Sequence, residues 1–260
     1  MSTILLLHGI PGSAANWSHV IPLIEAHHDV IVPNLVGFAG SEYDASGDDL
    51  LAPSQARHVL ELLDSRGIHR VAVVGHDFGG PVAAHLVASA PDRVEALALF
   101  ATNAFPDTPI PFPLSLIDLP VLGPMVERLL FSRASLAMMV RRGTGEPKPD
   151  LDLADYLGDE EQVAAIRSIF SASLHRIVEL YTPVEAALAS VAVPALVGWG
   201  DRDPFFDVAT GRRTAQTIPG ARFVLYGGAG HFLPEERPEQ LAADVLALVE
   251  EVEGGDPGTG

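Results

Sequence analysis

Three side chains in this 260-residue sequence have the types and surroundings for covalent hydrolysis. Asp77 lies in Gly75-His76-Asp77-Phe78-Gly79-Gly80, directly after an apolar run at 71–74. His231 lies in Gly227-Gly228-Ala229-Gly230-His231-Phe232, after a run at 222–226. Between them, Gly200-Asp201-Arg202-Asp203-Pro204 follows the run 195–199 and offers two carboxylates. A nucleophile on a sharp strand-to-helix turn needs small neighbours on both sides. The turn aims it at a helix N-terminus, where free N–H groups favour negative charge. An Asp before a helix is also a common N-cap. What favours chemistry at Asp77 is the chain order: nucleophile, then acid, then histidine.

An Asp carboxylate, with an ordinary pKa of about 3.9, is ionised at neutral pH and needs no base to attack an sp³ carbon. The product is an alkyl ester of the protein. A neutral histidine held by an acid can then draw a proton from water, and the hydroxide attacks the ester carbonyl. Leu7-His8-Gly9-Ile10-Pro11-Gly12 ends the first apolar run. Its glycines let the backbone pass close to a ligand. The N–H groups of Ile10 and Phe78 form the expected oxyanion hole. On position alone, the orienting acid is Asp201 or Asp203.

These residues need a scaffold. Continuous apolar runs at 3–7, 30–32, 71–74, 94–100, 195–199 and 222–226 read as strands buried on both faces. Helical patterns at 14–27, 50–65, 80–89, 208–217 and 238–250 alternate with them. The rhythm predicts an α/β fold with a doubly wound, mostly parallel sheet. It breaks at 105–182, where Pro106, Pro109, Pro111, Pro113, Pro120 and Pro124 crowd the start and helical patterns follow around a polar loop at 143–150. This stretch reads as an inserted helical cap. The core domain is then 1–104 with 183–253, and 254–260 is a disordered tail. The cap's apolar residues (Phe112, Leu114, Leu116, Ile117, Met125, Leu129, Leu130, Phe131, Met138, Met139) serve its own packing, a hydrophobic substrate pocket, or both.

HGIPG, GHDFGG, WGDRDPF and GHFLPEERPE together resemble the α/β-hydrolase superfamily, and most of all its aspartate-nucleophile branch of epoxide hydrolases and haloalkane dehalogenases. The resemblance covers nearly the whole chain outside the cap. It implies Asp77 as nucleophile and His231 as general base. Family spacing from Gly200 favours Asp203 as the acid that orients His231, leaving Asp201 to a turn or salt bridge. Some members carry the acid after the strand that follows the nucleophile helix, but here that site reads Thr102-Asn103. Members usually have a β-hairpin before the His-Gly strand, whereas this chain opens on that strand. The sheet should therefore be about two strands shorter.

The two branches differ in their leaving group. Haloalkane dehalogenases hold halide with Trp directly after the nucleophile, sometimes with Asn after His-Gly; here those positions are Phe78 and Ile10. The only tryptophans, Trp17 and Trp199, fall outside the cap and read as core or pocket wall. Epoxide hydrolases use cap tyrosines to protonate an alkoxide. Tyr181 is expected at the end of the last cap helix, just before Thr182-Pro183, overhanging Asp77. Tyr156, in the acidic stretch DLADYLGDEE, reads as surface. His175 is the other donor candidate; on an unbroken helix it would not share a face with Tyr181. The expected activity is epoxide hydrolysis to a diol. A dehalogenase with an unusual halide site, or a non-catalytic ligand-binding protein on the same scaffold, are the alternatives.

Bulk properties narrow the partners. With no cysteine, disulfides and thiolate sites are excluded. The net charge of −18 opposes nucleic acid and anionic membrane surfaces. No apolar run approaches the roughly 20 residues that span a bilayer, and the N-terminus lacks the basic region of a signal peptide. We therefore expect a cytoplasmic protein acting on a hydrophobic small molecule and water. Without a metal-ligand cluster or dinucleotide fingerprint, no cofactor or metal is expected.

Overall fold

The computed structural model describes residues 1–39, 41, 47–110, 114–119, 122–148 and 151–255. Six strands form one sheet: β1 (Thr3–Leu7), β2 (Asp29–Ile31), β3 (Val71–His76), β4 (Val94–Phe100), β5 (Ala195–Gly200) and β6 (Arg222–Tyr226). Their order is β2-β1-β3-β4-β5-β6, and every pairing is parallel.

The continuous apolar runs are explained by two cores, one on each face. Leu5, Leu7, Val73, Leu97, Leu99 and Val197 pack on one side with helices α2 (Ala52–Ser65) and α3 (Gly79–Ser89). Ile4, Leu6, Val74, Ala98 and Leu196 pack on the other with α1 (Ile21–Glu25) and a C-terminal helix. Successive residues point to opposite faces, so both alternating sets must be apolar. Each fully buried Leu or Val contributes about 1.5–3 kcal/mol of transfer free energy.

Between β4 and β5 the chain is helical: α4 (Gly123–Leu130), α5 (Arg133–Arg142), α6 (Leu153–Leu157), α7 (Glu160–His175) and α8 (Ile177–Ala189). After β5 come α9 (Val208–Thr217), α10 (Leu233–Glu236) and α11 (Pro238–Gly255). Three expectations need correction. The pattern at 14–27 is a 3-10 turn at Ala14–Trp17 followed by α1, not one helix. The helix carrying Tyr181 does not end there: α8 runs on through Pro183 to Ala189, with Pro183 on an exposed side where water can satisfy the freed carbonyl. Gly254 belongs to the last turns of α11, so the helix extends past the expected start of the tail. Residues 256–260, Phe112, and Pro111, Pro113 and Pro120 lie outside the described residues, as does the end of the polar loop at 149–150.

The strand order also locates a crevice. From β1, the chain passes to β2 on one side and to β3 on the other. Ligands of open parallel sheets bind beyond the carboxyl ends of strands at such a reversal. Ile10 follows β1 there, and Asp77 follows β3.

Candidate active site

Asp77 has φ +50°, in the left-handed region that costs a non-glycine residue about 1–3 kcal/mol. Hydrogen bonds hold it there. Its N–H donates to the Phe100 carbonyl (3.0 Å), and its carbonyl accepts from Gly80 N (3.0 Å) and Thr102 Oγ1 (2.7 Å). The flanking glycines are required by contact. A Cβ on Gly79 would lie 2.3 Å from the Leu7 carbonyl, and one on Gly80 2.1 Å from Thr102 Oγ1. Across the crevice, a Cβ on Gly9 would lie 2.5 Å from the Asp77 Cβ.

The three expected residues meet. His231 Nδ1 is 2.9 Å from Asp203 Oδ2, and its Nε2 is 3.4 Å from Asp77 Oδ2. Asp203 is itself fixed, its Oδ1 accepting from the N–H groups of Phe205 (2.8 Å) and Phe206 (3.1 Å). Asp201 instead accepts from Gly228 N (2.7 Å) and braces the histidine loop. Of the two expected oxyanion donors, Ile10 N–H reaches Asp77 Oδ1 at 2.7 Å. Phe78, buried, is the residue that opens α3.

Charge follows from this packing. Burial alone would depress His231, but Asp203 and then Asp77 outweigh it and lift its pKa to about 10. Burial alone would raise Asp77; the His231 hydrogen bond and charge, with Ile10 N–H, bring it below the usual carboxylate value. At rest, the Asp77 carboxylate thus faces a His231 imidazolium. Two other buried histidines stay neutral, each held near 4 mainly by burial. His8 accepts from Leu35 N at Nε2 (3.0 Å), so its Nδ1–H donates to the Gly9 carbonyl (2.9 Å). His76 donates from Nε2 to the His231 carbonyl (2.8 Å).

Above Asp77 and His231 lies a cavity of about 210 Å³. Its walls are largely apolar, with Ile10, Phe170, Ile177, Phe205 and Phe232, and with Leu114 and Met139 from the insertion. Of the rest of the apolar set, Ile117 and Phe131 are buried in packing, whereas Met125, Leu129 and Met138 are exposed and do neither. The polar lining is Asp77, Asn103, Thr108, Ser173, Tyr181 and His231.

The three donor candidates separate. Tyr181 lines the cavity; burial and the Asp77 charge push its phenol up to about 12, while hydrogen bonds with Ser173 and Asn103 act the other way. Tyr156 is neither on the surface, as its acidic neighbours suggested, nor in the cavity wall. It is 1% exposed, with its ring edge-on to Phe232 and its hydroxyl beside Glu235. His175 is exposed, bonds the Ser171 carbonyl (2.8 Å), and lines a separate surface cleft with Arg167 and Arg176. The unbroken helix assumed for His175 and Tyr181 is broken at Arg176 (φ −119°, ψ 27°). Both tryptophans are fully buried outside the cavity lining, and the Trp199 indole N–H is spent on the Phe206 carbonyl (2.9 Å). Sequence reasoning passed over Asn103 and Ser173. Asn103 was legible three residues past the end of β4, the strand paired with β3; nothing marked Ser173.

Cis-3-alkyl-4-alkyloxetan-2-one decarboxylase of Shewanella oneidensis is 25% identical over 262 residues, 96% of this chain and 82% of the relative. Soluble epoxide hydrolase of a Corynebacterium species is 27% identical over 251 residues, 91% of this chain and 86% of the relative. The crystal structure of an ancestral haloalkane dehalogenase superposes with a TM-score of 0.82 at 23% identity, over 98% of this chain and 93% of that one, a likeness of fold. A family model of the alpha/beta hydrolase fold matches residues 2–238, which takes in the elbow, both acid positions and the histidine loop. With the parallel sheet and the meeting of Asp77, Asp203 and His231 at its carboxyl edge, this makes the chain a member of the α/β-hydrolase fold family.

Proposed function

We propose that this protein hydrolyses the epoxide of a hydrophobic small molecule to a diol. The observation that carries the reading is one apolar cavity in which the Asp77 carboxylate shares the polar lining with the Tyr181 phenol and with no indole. Halide release calls for weakly acidic donors such as indole N–H groups. An alkoxide calls for a proton.

Asp77 attacks a ring carbon, the C–O bond breaks, and Tyr181 delivers its proton to the departing oxygen. The alkyl ester has no charge at Asp77, so His231 loses one of the two carboxylates that kept it protonated. It passes its proton through solvent to the Tyr181 phenolate, which restores the phenol and leaves a neutral imidazole. His231 Nε2 then takes a proton from water, and the hydroxide adds to the Asp77 carboxyl carbon. Ile10 and Phe78 N–H groups stabilise the oxyanion, an effect worth about 2.7–4 kcal/mol per donor in well-built sites. Collapse breaks the ester C–O bond, the departing oxygen takes the proton of the new carboxyl group to complete the diol, and the Asp77 carboxylate again faces the imidazolium formed when His231 took the proton from water. Asp203 orients His231 throughout. Relatives whose names specify epoxide hydrolases support the reading.

The test is the intact mass of His231→Ala after incubation with terminal epoxides, bromoalkanes and a cis-3,4-dialkyloxetan-2-one. A stable adduct with the mass of the whole epoxide is expected, and Asp77→Asn abolishes it. An adduct lacking HBr would move the reading to dehalogenation. Reaction with the oxetanone alone would move it to the chemistry named for the Shewanella relative. No adduct and no turnover by the parent protein would favour a binding role.

A further inference from the structure

Glu236 on α10 is a buried carboxylate, 7% exposed, that the chemistry above does not use. Its two oxygens accept from Gly230 N at 3.1 and 3.0 Å, and Oε2 also accepts from Gly145 N at 2.7 Å. Gly230 precedes His231, whereas Gly145 belongs to the helical insertion, in the turn after α5. A second bond joins the same segments, with His231 N–H donating to the Gly143 carbonyl at 2.7 Å. The backbones approach too closely for side chains. A Cβ on Gly230 would lie 2.3 Å from the Gly143 carbonyl, and one on Gly145 2.6 Å from Gly230 N. N–H groups donating to a carboxylate make strong bonds, and leaving buried ones without an acceptor is costly.

We propose that Glu236 is a positioning residue that clamps the 143–145 turn of the insertion to the histidine loop and thereby sets where His231 stands over Asp77. The backbone of His231 is held at both ends, by Gly143 from the insertion and by His76 from the sheet. Its contact with Asp77, at 3.4 Å, is longer than its contact with Asp203. Hydrolysis of the ester depends on that position, because water must sit between His231 Nε2 and the Asp77 carboxyl carbon. Alkylation depends on it far less. The inference rests on His231 being the base of the proposed reaction.

Two variants test it. Glu236→Gln keeps size but sets an amide N–H against a backbone N–H. Gly145→Ala leaves charge unchanged and drives a Cβ toward the Gly228 carbonyl, 2.5 Å away. In substrate-free protein, NMR titration of the His231 ring should show its pKa moving from about 10 toward the ordinary 6.5 in both variants. With a reactive epoxide, rapid quench should show ester hydrolysis slowed about 10- to 100-fold while alkylation stays within about twofold, as expected for a misplaced base. An unchanged titration in folded variants, or equal loss in both steps, overturns the proposal. If the parent protein turns over no epoxide, that reading fails and the titration alone decides the clamp. If Glu236→Gln does not fold, Gly145→Ala carries the test.

Discussion

Tyr181→Phe separates proton donation from packing, because it keeps the ring in the cavity wall and removes only the hydroxyl. The alkoxide of an opened epoxide is nearly as basic as hydroxide and far more basic than a phenolate. Tyr181 lies at about 12, so proton transfer from it to the alkoxide is strongly downhill. Ser173 and Asn103 bond the phenol and stabilise the phenolate that transfer leaves behind. Without the phenol, the neutral groups of the lining are the hydroxyls of Ser173 and Thr108 and the Asn103 amide, none of them a useful acid, and the acid that remains, the His231 imidazolium, is engaged with Asp77 and Asp203. Loss of a positioned general acid costs about 10²- to 10⁴-fold, or about 2.7–5.4 kcal/mol. The assay is the single-turnover rate of alkylation, read by intact mass after rapid quench. An epoxide is compared with a bromoalkane of the same skeleton. The epoxide rate should fall by that factor, whereas alkylation by the bromide, which needs no proton, should stay within about threefold. In the parent protein the epoxide rate should hold from neutral pH and fall as pH rises through about 12, since only the protonated phenol donates. Wild-type epoxide rates in Tyr181→Phe, or equal loss with both reagents, would refute the donor role.

Asp203→Asn retains an oxygen for the Phe205 and Phe206 N–H groups but removes the larger of the two carboxylate influences that raise His231. Alkylation should survive and ester hydrolysis should slow by about 10²- to 10⁴-fold, so that alkyl-enzyme accumulates in an intact-mass time course. Folding stability should depend on the same charge. Because the folded pKa of His231 is raised, its stabilising contribution is complete below the unfolded value of about 6.5 and is lost as pH rises through about 10. Urea midpoints at pH 7 and pH 10.5 should therefore fall further for the parent protein than for His231→Gln.

The sheet was legible because the inner parallel strands are buried on both faces and so are apolar at nearly every position, and five of the six expected runs begin at the first residue of their strand, at 3, 71, 94, 195 and 222. The elbow was legible for a steric reason: Gly75, Gly79 and Gly80 each sit where a Cβ would meet backbone or Thr102 within 2.5 Å. The insertion resisted reading. Its helices bury short stripes, such as Leu136 and Val140 one turn apart on α5, and periodicity alone does not say whether a stripe faces the cavity or the rest of the core. Tyr156 shows the failure most clearly. Its neighbours Asp152, Asp155 and Asp159 mark a wet stretch, yet the ring turns inward against Phe232, a partner 76 positions away that no local pattern names. Tyr181 lines the cavity, but its presentation depends on the break at Arg176, which no Gly or Pro announces.

That presentation matters because protons must be conserved in a cavity of about 210 Å³ with few polar groups. The resting imidazolium cannot act as a base, and the resting phenol can act only as an acid. Both are correct for ring opening and wrong for ester hydrolysis. In the proposed reaction, alkylation of Asp77 corrects both at once: it removes a charge that raised His231 and Tyr181 alike, and it creates a phenolate able to take the imidazolium proton. One event therefore resets two groups whose pKa values both answer to the same carboxylate. Asp203 persists through the cycle, so His231 remains basic enough to accept a proton from water once Asp77 is esterified. On this account, the order of the two half-reactions follows from charge, with no moving part beyond the proton itself.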